Sequence, residues 1–159
     1  MVLGVRKQTV NSTVLGELGR LPLSRTAKFR SIEYWLKIQD NNNTNTQLQQ
    51  FYNKQCEDNI HINNKNWVFH VKRTIDELGL SDLWFEQNLN VAFFQLFQQR
   101  IKDQFIQQWK SEIENSSRLK YYNKYKTEFC IEQYLLNIKN DKLRKQLTQF
   151  RLSAHKSAI

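Results

Sequence analysis

The chain has 159 residues and a net charge of +9, with 40% hydrophobic and 13% aromatic residues. This composition is too apolar for a disordered tail and suffices for one domain with a core. Four glycines and one proline disfavour an all-β fold built on tight turns, and no apolar run reaches the ~20 residues of a membrane span.

The hydrophobic pattern predicts an all-α fold, an irregular bundle of about six to eight helices with Asn/Ser-rich loops, as a single domain over residues 1–159. A short first helix is capped by Asn11 or Ser12 and ends near Gly19. Pro22 then breaks the chain. Ser24 caps a second helix, whose apolar side carries Phe29, Ile32, Trp35 and Leu36.

The middle of the chain predicts two further helices separated by polar segments. Residues 40–45 form a polar loop, and Thr46 caps a helix through about Cys56. A second polar break spans Glu57–Asn64. Asn66 caps the next helix, and Gly79 ends it.

The last part begins with a short turn after Ser81, and the longest helix is predicted over about Val91–Glu114. Two shorter helical stretches follow, over about Arg118–Lys126 and Cys130–Ile138. A final helix begins near Asp141. Its predicted inward stripe consists of Leu143, Leu147, Phe150 and Ala154.

Charge is distributed unevenly along the chain. Residues 1–39 carry seven Lys/Arg and two Glu, for a net +5, and residues 118–159 carry ten basic and three acidic residues, for a net +7. The segment between them has a net charge of −3. Two basic ends around a mildly acidic middle favour a polyanionic partner, RNA or DNA, over an ordinary solvated surface.

Three basic segments are candidate nucleic-acid contacts. The first is a basic helix face, whose members are Arg20, Arg25, Lys28, Arg30 and Lys37; an ordinary solvated face explains it equally well. The second interleaves tyrosines with Lys120, Lys124 and Lys126, a pattern that suits single strands. Here Tyr121 and Tyr125, one turn apart, are expected to pack inward, and Tyr122 is the better stacking candidate. The third is the terminal helix, with Lys142, Arg144, Lys145, Arg151 and Lys156 outside the apolar stripe.

Catalysis and metal binding are not predicted. The possible ligands match no compact zinc spacing; they are Cys56, His61, His70, Cys130 and His155. Neither a glycine-rich phosphate loop nor a local motif around a Cys-His pair occurs. We expect no enzymatic activity and no cofactor. His155, beside basic residues, is a possible phosphate contact.

The cysteines and the N-terminal residues predict the cellular compartment of the protein. Two cysteines are too few for a disulfide framework, and the first residues lack the apolar core of a signal peptide. We therefore expect an intracellular protein, cytoplasmic or nuclear, without membrane contact.

Several segments, taken in order, resemble the region downstream of the reverse-transcriptase domain in LINE-like non-LTR retrotransposon polyproteins. The first is Leu15-Gly16-Glu17-Leu18-Gly19-Arg20, of the GELGR type, followed by a basic helix with an aromatic at Trp35. The others are Asn66-Trp67-Val68, the Leu78-Gly79-Leu80 turn with Trp84, a long Phe94–Trp109 helix, Tyr125–Phe129, and the Leu143–His155 helix. The match covers nearly the whole chain.

The chain also departs from this family. Val10 stands where the family usually has a proline, no Asp-Asp pair is present for polymerase metals, and the family's Cys-rich segment after the final helix does not occur. We therefore expect a fragment of a larger element, with residues 1–23 resembling the polymerase end and residues 24–159 a helical linker.

The resemblance implies a non-catalytic module that grips template RNA or target DNA, with the missing polymerase domain as a further partner. The alternatives are a helical protein-interaction or structural module and a non-functional remnant of such an element. The sequence leaves open whether the polyanion is RNA or DNA, and whether it is single- or double-stranded.

Overall fold

The computed structural model describes residues 3–5, 9–39, 46–62, 65–86 and 93–152. Within these ranges the chain forms eight α-helices and no strand, so the predicted all-α fold is confirmed. The helices are α1 (Asn11–Leu18), α2 (Leu23–Gln39), α3 (Thr46–Ile62), α4 (Trp67–Glu77), α5 (Phe93–Glu114), α6 (Lys120–Tyr125), α7 (Gln133–Asn137) and α8 (Asp141–Arg151). Two 3-10 helices, Ser81–Phe85 and Ser117–Leu119, precede α5 and α6.

The chain divides into two compact units. The central unit is continuous and comprises Leu23–Gln104, whereas the terminal unit combines Met1–Pro22 with Phe105–Ile159. The hydrophobic pattern predicted a single domain over residues 1–159, within which the family resemblance set residues 1–23 apart. The first division between the two units follows Pro22.

The core of the central unit is built from apolar positions of α2, α4 and α5. Trp35 is 1% exposed, and its ring stacks on that of Trp84 with centroids 5.3 Å apart. Its indole Nε1 donates to the Tyr52 hydroxyl at 3.2 Å, so the polar atom of this buried ring is satisfied. The buried residues around it are Ile32, Leu36, Val71, Ile75, Leu78, Phe97 and Ile101.

A side-chain cap fixes the start of α4. Asn66 Oδ1 accepts a hydrogen bond from the backbone N–H of Phe69 at 3.0 Å, as predicted. The Asn66 amide also donates to the carbonyl of Gln55 on α3 at 2.8 Å. α3 itself continues to Ile62, so the predicted break at Glu57–Asn64 is wrong for residues 57–62. The predicted loop over residues 40–45 lies outside the described residues.

The core of the terminal unit joins α1 to the second half of the chain. Trp109 is 1% exposed, and its Nε1 donates to the carbonyl of Ser12 on α1 at 2.9 Å. Gly19 ends α1 in the left-handed region with φ of 57°, which confirms the predicted stop. One cluster of buried apolar residues in this unit consists of Phe105, Trp109, Ile113, Leu119, Tyr122 and Leu152.

Helix ends differ from the predictions at several places. α2 begins at Leu23, so Ser24 lies in its first turn instead of capping it. α8 is capped by Asn140, whose side chain accepts from the backbone of Lys142 and Leu143, instead of by Asp141. The helix predicted over Cys130–Ile138 is only the five residues of α7.

Candidate nucleic-acid interface

One exposed face of α6 carries two aromatic rings and two ammonium groups. Tyr121 and Tyr125 are 65% and 63% exposed, and Lys120 and Lys124 are also exposed. At 3.6 residues per turn these four side chains fall within an arc of about 140°. Lys124 Nζ lies 5.6 Å from the centroid of the Tyr121 ring. We call these four residues the Tyr-Lys face.

The tyrosines take roles opposite to those predicted. Tyr121 and Tyr125 were expected to pack inward, but they are exposed. Tyr122, the predicted stacking residue, is only 2% exposed and donates its hydroxyl to the Thr13 carbonyl at 3.1 Å. Burial raises the pKa of the Tyr122 hydroxyl above its usual range. Tyr122 is therefore a core residue and cannot stack on a base in the folded chain.

Lys126 was also predicted to contact nucleic acid, but it is not part of the exposed surface. Its side chain is 1% exposed, and Nζ contacts Glu132 Oε1 and the Cys130 carbonyl, each at 2.6 Å. A buried ammonium needs such partners because its desolvation is costly. Lys126 therefore stabilises the turn between α6 and α7 instead of reaching a phosphate.

Arg151 also points into the terminal unit. Its guanidinium binds Glu17, which is 0% exposed, with N···O distances of 3.1 to 3.4 Å, and contacts Glu132 at 2.9 Å. Burial alone would lower the Arg151 pKa, but the hydrogen bonds and charges of the two carboxylates raise it. Glu17, Lys126, Glu132 and Arg151 form what we call the buried ion cluster, with two charges of each sign.

Tyr134 completes the surroundings of this cluster. Its hydroxyl donates to Glu17 Oε2 at 2.6 Å and lies 2.9 Å from the Thr148 hydroxyl. Arg151 lies over the Tyr134 ring, 5.3 Å from its centroid. Burial, followed by the hydrogen bond to Glu17, raises the Tyr134 pKa above its usual range.

The orientation of α8 is rotated from the predicted one. Leu143 and Phe150 of the predicted inward stripe are 56% and 67% exposed, whereas Thr148 is 0% exposed. The physical reason is the Glu17–Arg151 ion pair, which turns a polar side of the helix inward. Ala154, His155 and Lys156 lie outside the described residues.

Arg144 and Lys145, two members of the predicted basic face of α8, are only partly exposed. Arg144 is paired with Asp141, and its Nη1 donates to the Ile138 carbonyl at 3.2 Å. Lys145 is half-buried, and its side-chain carbons lie close enough to Gly4 that a Cβ there would meet Cγ at 2.9 Å. Both side chains thus have structural contacts in addition to their charge.

The first basic segment is divided between the two units. Arg20 is exposed in the terminal unit, while Arg25, Lys28 and Arg30 belong to α2 of the central unit. Arg30 is ion-paired with Glu33 at 2.7 Å. Hydrogen bonds from Arg30 and then from Lys37 lower the Glu33 pKa. The Lys28 ammonium lies 2.5 Å from Glu77, a carboxylate of α4.

The GELGR-type segment has a structural account. A Cβ on Gly16 would lie 2.7 Å from the Tyr122 hydroxyl and 2.9 Å from the Trp109 ring, so a larger residue requires one of these buried side chains to shift. A Cβ on Gly19 would clash with the backbone nitrogen of Ile131. The Glu132 N–H donates to the Glu17 carbonyl at 3.0 Å. These residues bring α1 against the chain near residue 131, and Arg20 alone of the motif's charged side chains is exposed.

The described residues contain no group of three or more His, Cys, Asp and Glu side chains that could hold a metal ion. Cys56 and Cys130 are both free thiols. None of the helices in the described part combines the length and apolar character that a membrane crossing requires.

Comparison of the chain with protein-family models, with curated proteins and with solved structures gave no match.

Proposed function

We propose that this chain is a non-catalytic helical module that binds nucleic acid. The observation that carries the proposal is the Tyr-Lys face, because two tyrosines more than 60% exposed stand beside two exposed lysines. Exposed rings can stack on bases of any sequence, and ammonium groups can neutralise the phosphates beside them. This combination favours a single strand, whose bases are accessible for stacking.

Charge supports the same proposal. Residues 118–127 contain four basic residues and no acidic residue. Even with Lys126 buried, Arg118, Lys120 and Lys124 remain exposed there. Such a local excess attracts a polyanion over about 10 Å at ordinary ionic strength.

The setting that we propose is a retrotransposon reverse-transcriptase protein of the LINE-like type. The support is the order of family-like segments along the chain. In this setting the module grips template RNA or target DNA and works beside a polymerase domain, in the cytoplasm or nucleus. The two free thiols are compatible with such reducing compartments.

Fluorescence anisotropy tests the proposal with single-stranded RNA, single-stranded DNA and duplex DNA at several salt concentrations. We expect binding to a single strand that weakens with salt. The double variant Lys120→Gln/Lys124→Gln should reduce the slope of log K against log salt by about 1.4, at roughly 0.7 for each lost phosphate contact. The matched variant Lys110→Gln/Lys139→Gln removes two exposed lysines elsewhere in the terminal unit. It should change the slope of log K against log salt by less than the Lys120/Lys124 variant does.

Substitution of the tyrosines separates stacking from charge. Tyr121→Ala/Tyr125→Ala should weaken single-strand binding at least about tenfold, because stacking contributes ~1–3 kcal/mol per base. Tyr121→Phe/Tyr125→Phe keeps both rings and should bind nearly as the original chain does. Equal binding by the alanine and phenylalanine variants would refute the Tyr-Lys face as the binding surface.

A protein-interaction module is the second candidate. The observation that favours it is the apolar surface near α7 and α8, where Leu136 and Leu143 are 55% and 56% exposed. Gel filtration over a range of concentrations discriminates between the two. An oligomer that forms with concentration, ignores nucleic acid and dissociates on Leu136→Ser/Leu143→Ser would favour this candidate.

A further inference from the structure

A groove of about 360 Å³ lies between α2 and α4 of the central unit. α2 contributes Ser24, Lys28 and Ser31 to its walls, and α4 contributes Arg73 and Glu77. This volume is at the lower end of the range for small-ligand sites. The Tyr-Lys face belongs to the other unit, so the groove is a separate feature of the molecule.

Glu77 holds the two cations of the groove in place. Its Oε2 accepts from Lys28 Nζ at 2.5 Å, and its Oε1 accepts from Arg73 Nε at 3.0 Å. The hydrogen bond from Lys28, together with the charges of both cations, lowers the Glu77 pKa. Both carboxylate oxygens are therefore occupied by cations.

Donors remain on both cations after these contacts. Arg73 uses only Nε, so its two Nη groups have no partner within the described ranges. The Lys28 ammonium has three donors, one of which is directed at Glu77. Lys28 and Arg73 outnumber the single carboxylate, so the site carries a net positive charge.

Neutral donors line the same groove. Ser24 lies in the first turn of α2, where backbone N–H groups have no acceptor within the helix, and Ser31 lies two turns further on. His70 on α4 is exposed, and its imidazole carries an N–H donor. A concave site lined by hydroxyls and cations offers more donors than the two oxygens of a carboxylate ligand can accept from. It is better matched to a phosphate, which has more acceptor oxygens.

We propose that this groove binds a phosphate group, with Arg73 Nη and Lys28 Nζ as its charged donors. The inference rests on the proposed function in one respect, namely that the phosphate belongs to a nucleic-acid strand. The planar guanidinium can present two parallel N–H donors to two phosphate oxygens, and the ammonium supplies a third contact. Glu77 acts as a positioning residue that holds both cations at the groove.

The first experiment uses inorganic phosphate and the full chain. Arginine side-chain N–H signals are followed by NMR during the titration, and the Arg73 signal is identified by its loss in Arg73→Gln. We expect a saturable shift of the Arg73 signal and no comparable shift of Arg100, an exposed arginine on α5 of the same unit. Shifts that are linear and equal for the two arginines would overturn the proposal.

Variants then locate the site. Lys28→Gln should weaken phosphate binding about tenfold, as the loss of one charge-assisted hydrogen bond predicts. Arg100→Gln, the matched control, should leave it unchanged. Arg73 is 66% exposed, so its replacement should keep the fold, which circular dichroism checks. Unchanged phosphate affinity in the folded Lys28→Gln and Arg73→Gln variants would also overturn the proposal.

The source of the phosphate is settled with oligonucleotides that carry either a 5′-hydroxyl or a 5′-phosphate. Weaker binding of both forms to Arg73→Gln assigns an internal phosphodiester, and weaker binding of only the second assigns a terminal phosphate. Binding of inorganic phosphate without any oligonucleotide binding supports the groove and refutes the proposed function. Oligonucleotide binding that is unaffected by Arg73→Gln, with no Arg73 shift in phosphate, refutes the groove alone.

Discussion

Replacement of Arg151 by methionine tests the buried ion cluster. Glu17 is 0% exposed, and Arg151 is the cation whose contacts to it are described. The variant leaves this carboxylate with the Tyr134 hydroxyl at 2.6 Å and without a cation among its contacts in the described part of the chain. Breaking a buried pair from one side costs about 3–5 kcal/mol. That is a large share of the ~5–15 kcal/mol of unfolding free energy typical of natural proteins.

The double variant Glu17→Leu/Arg151→Met sharpens this prediction. Removing both charges leaves the ion pair of Lys126 and Glu132, which has no net charge and an N···O distance of 2.6 Å. Replacing a whole buried pair by apolar residues is often nearly neutral. We therefore expect the double variant to lose at least about 2 kcal/mol less than the sum of the two single variants.

Urea unfolding followed by circular dichroism measures these free energies, and amide hydrogen exchange locates the loss in α1, α7 and α8. Lys139→Met, an exposed lysine of the same unit, is the control and should change stability by no more than about 0.5 kcal/mol. A cost below about 1 kcal/mol for Arg151→Met, or additive single effects, would refute the reasoning.

Three further changes have definite expected results. Gly16→Ala places a Cβ 2.7 Å from the Tyr122 hydroxyl, so urea unfolding should show a free energy of unfolding lower by about 1–3 kcal/mol. An unchanged free energy of unfolding would mean that α1 and Tyr122 are not packed this closely. The raised pKa of Tyr122 means that the folded chain keeps a proton which the unfolded chain releases near pH 10.0, so stability falls as pH rises above that value. Tyr122→Phe should flatten this alkaline loss in unfolding experiments, and an unaltered slope contradicts the assignment. The lowered pKa of Glu77 has the opposite sign: its contribution is present above the ordinary 4.5 and is lost as pH falls through the folded value. Glu77→Gln should remove this acid dependence, which exposure limits to less than about 1 kcal/mol, and a dependence that the variant leaves unchanged would contradict the assignment to Glu77.

Local signals in the sequence predicted much of the fold. Asn66 and Gly19 mark helix ends through their own side-chain and backbone chemistry, and the structure places them there. The apolar period predicted the long helix α5 to within about two residues, because a long amphipathic helix repeats its pattern many times. The continuation of α3 to Ile62 was missed because polar residues such as Asn59 signal a break only weakly.

The candidate site was predicted less well because it depends on distant contacts. Arg151 and Glu17 are 134 positions apart, and no local pattern links them. Without that pair, Leu143 and Phe150 were the natural inward residues of α8. α6 has only six residues, so periodicity could not decide whether Tyr121 or Tyr122 faces the core. Charge predicted the exposure of Lys120 and Lys124 correctly, but it missed the burial of Lys126, whose partner Glu132 lies beyond α6.

The discontinuity of the terminal unit has a consequence for the order of folding during synthesis. The ribosome completes the continuous central unit, Leu23–Gln104, before α8 exists. Until then Glu17 lacks its Arg151 partner, whereas Trp109, whose indole donates to the Ser12 carbonyl, is already made. Contacts of such separation form late because loop closure must come first. Protease digestion of arrested nascent chains should therefore show a protected central unit while α1 is still cleaved, because α1 gains its Glu17–Arg151 ion pair only after α8 is made.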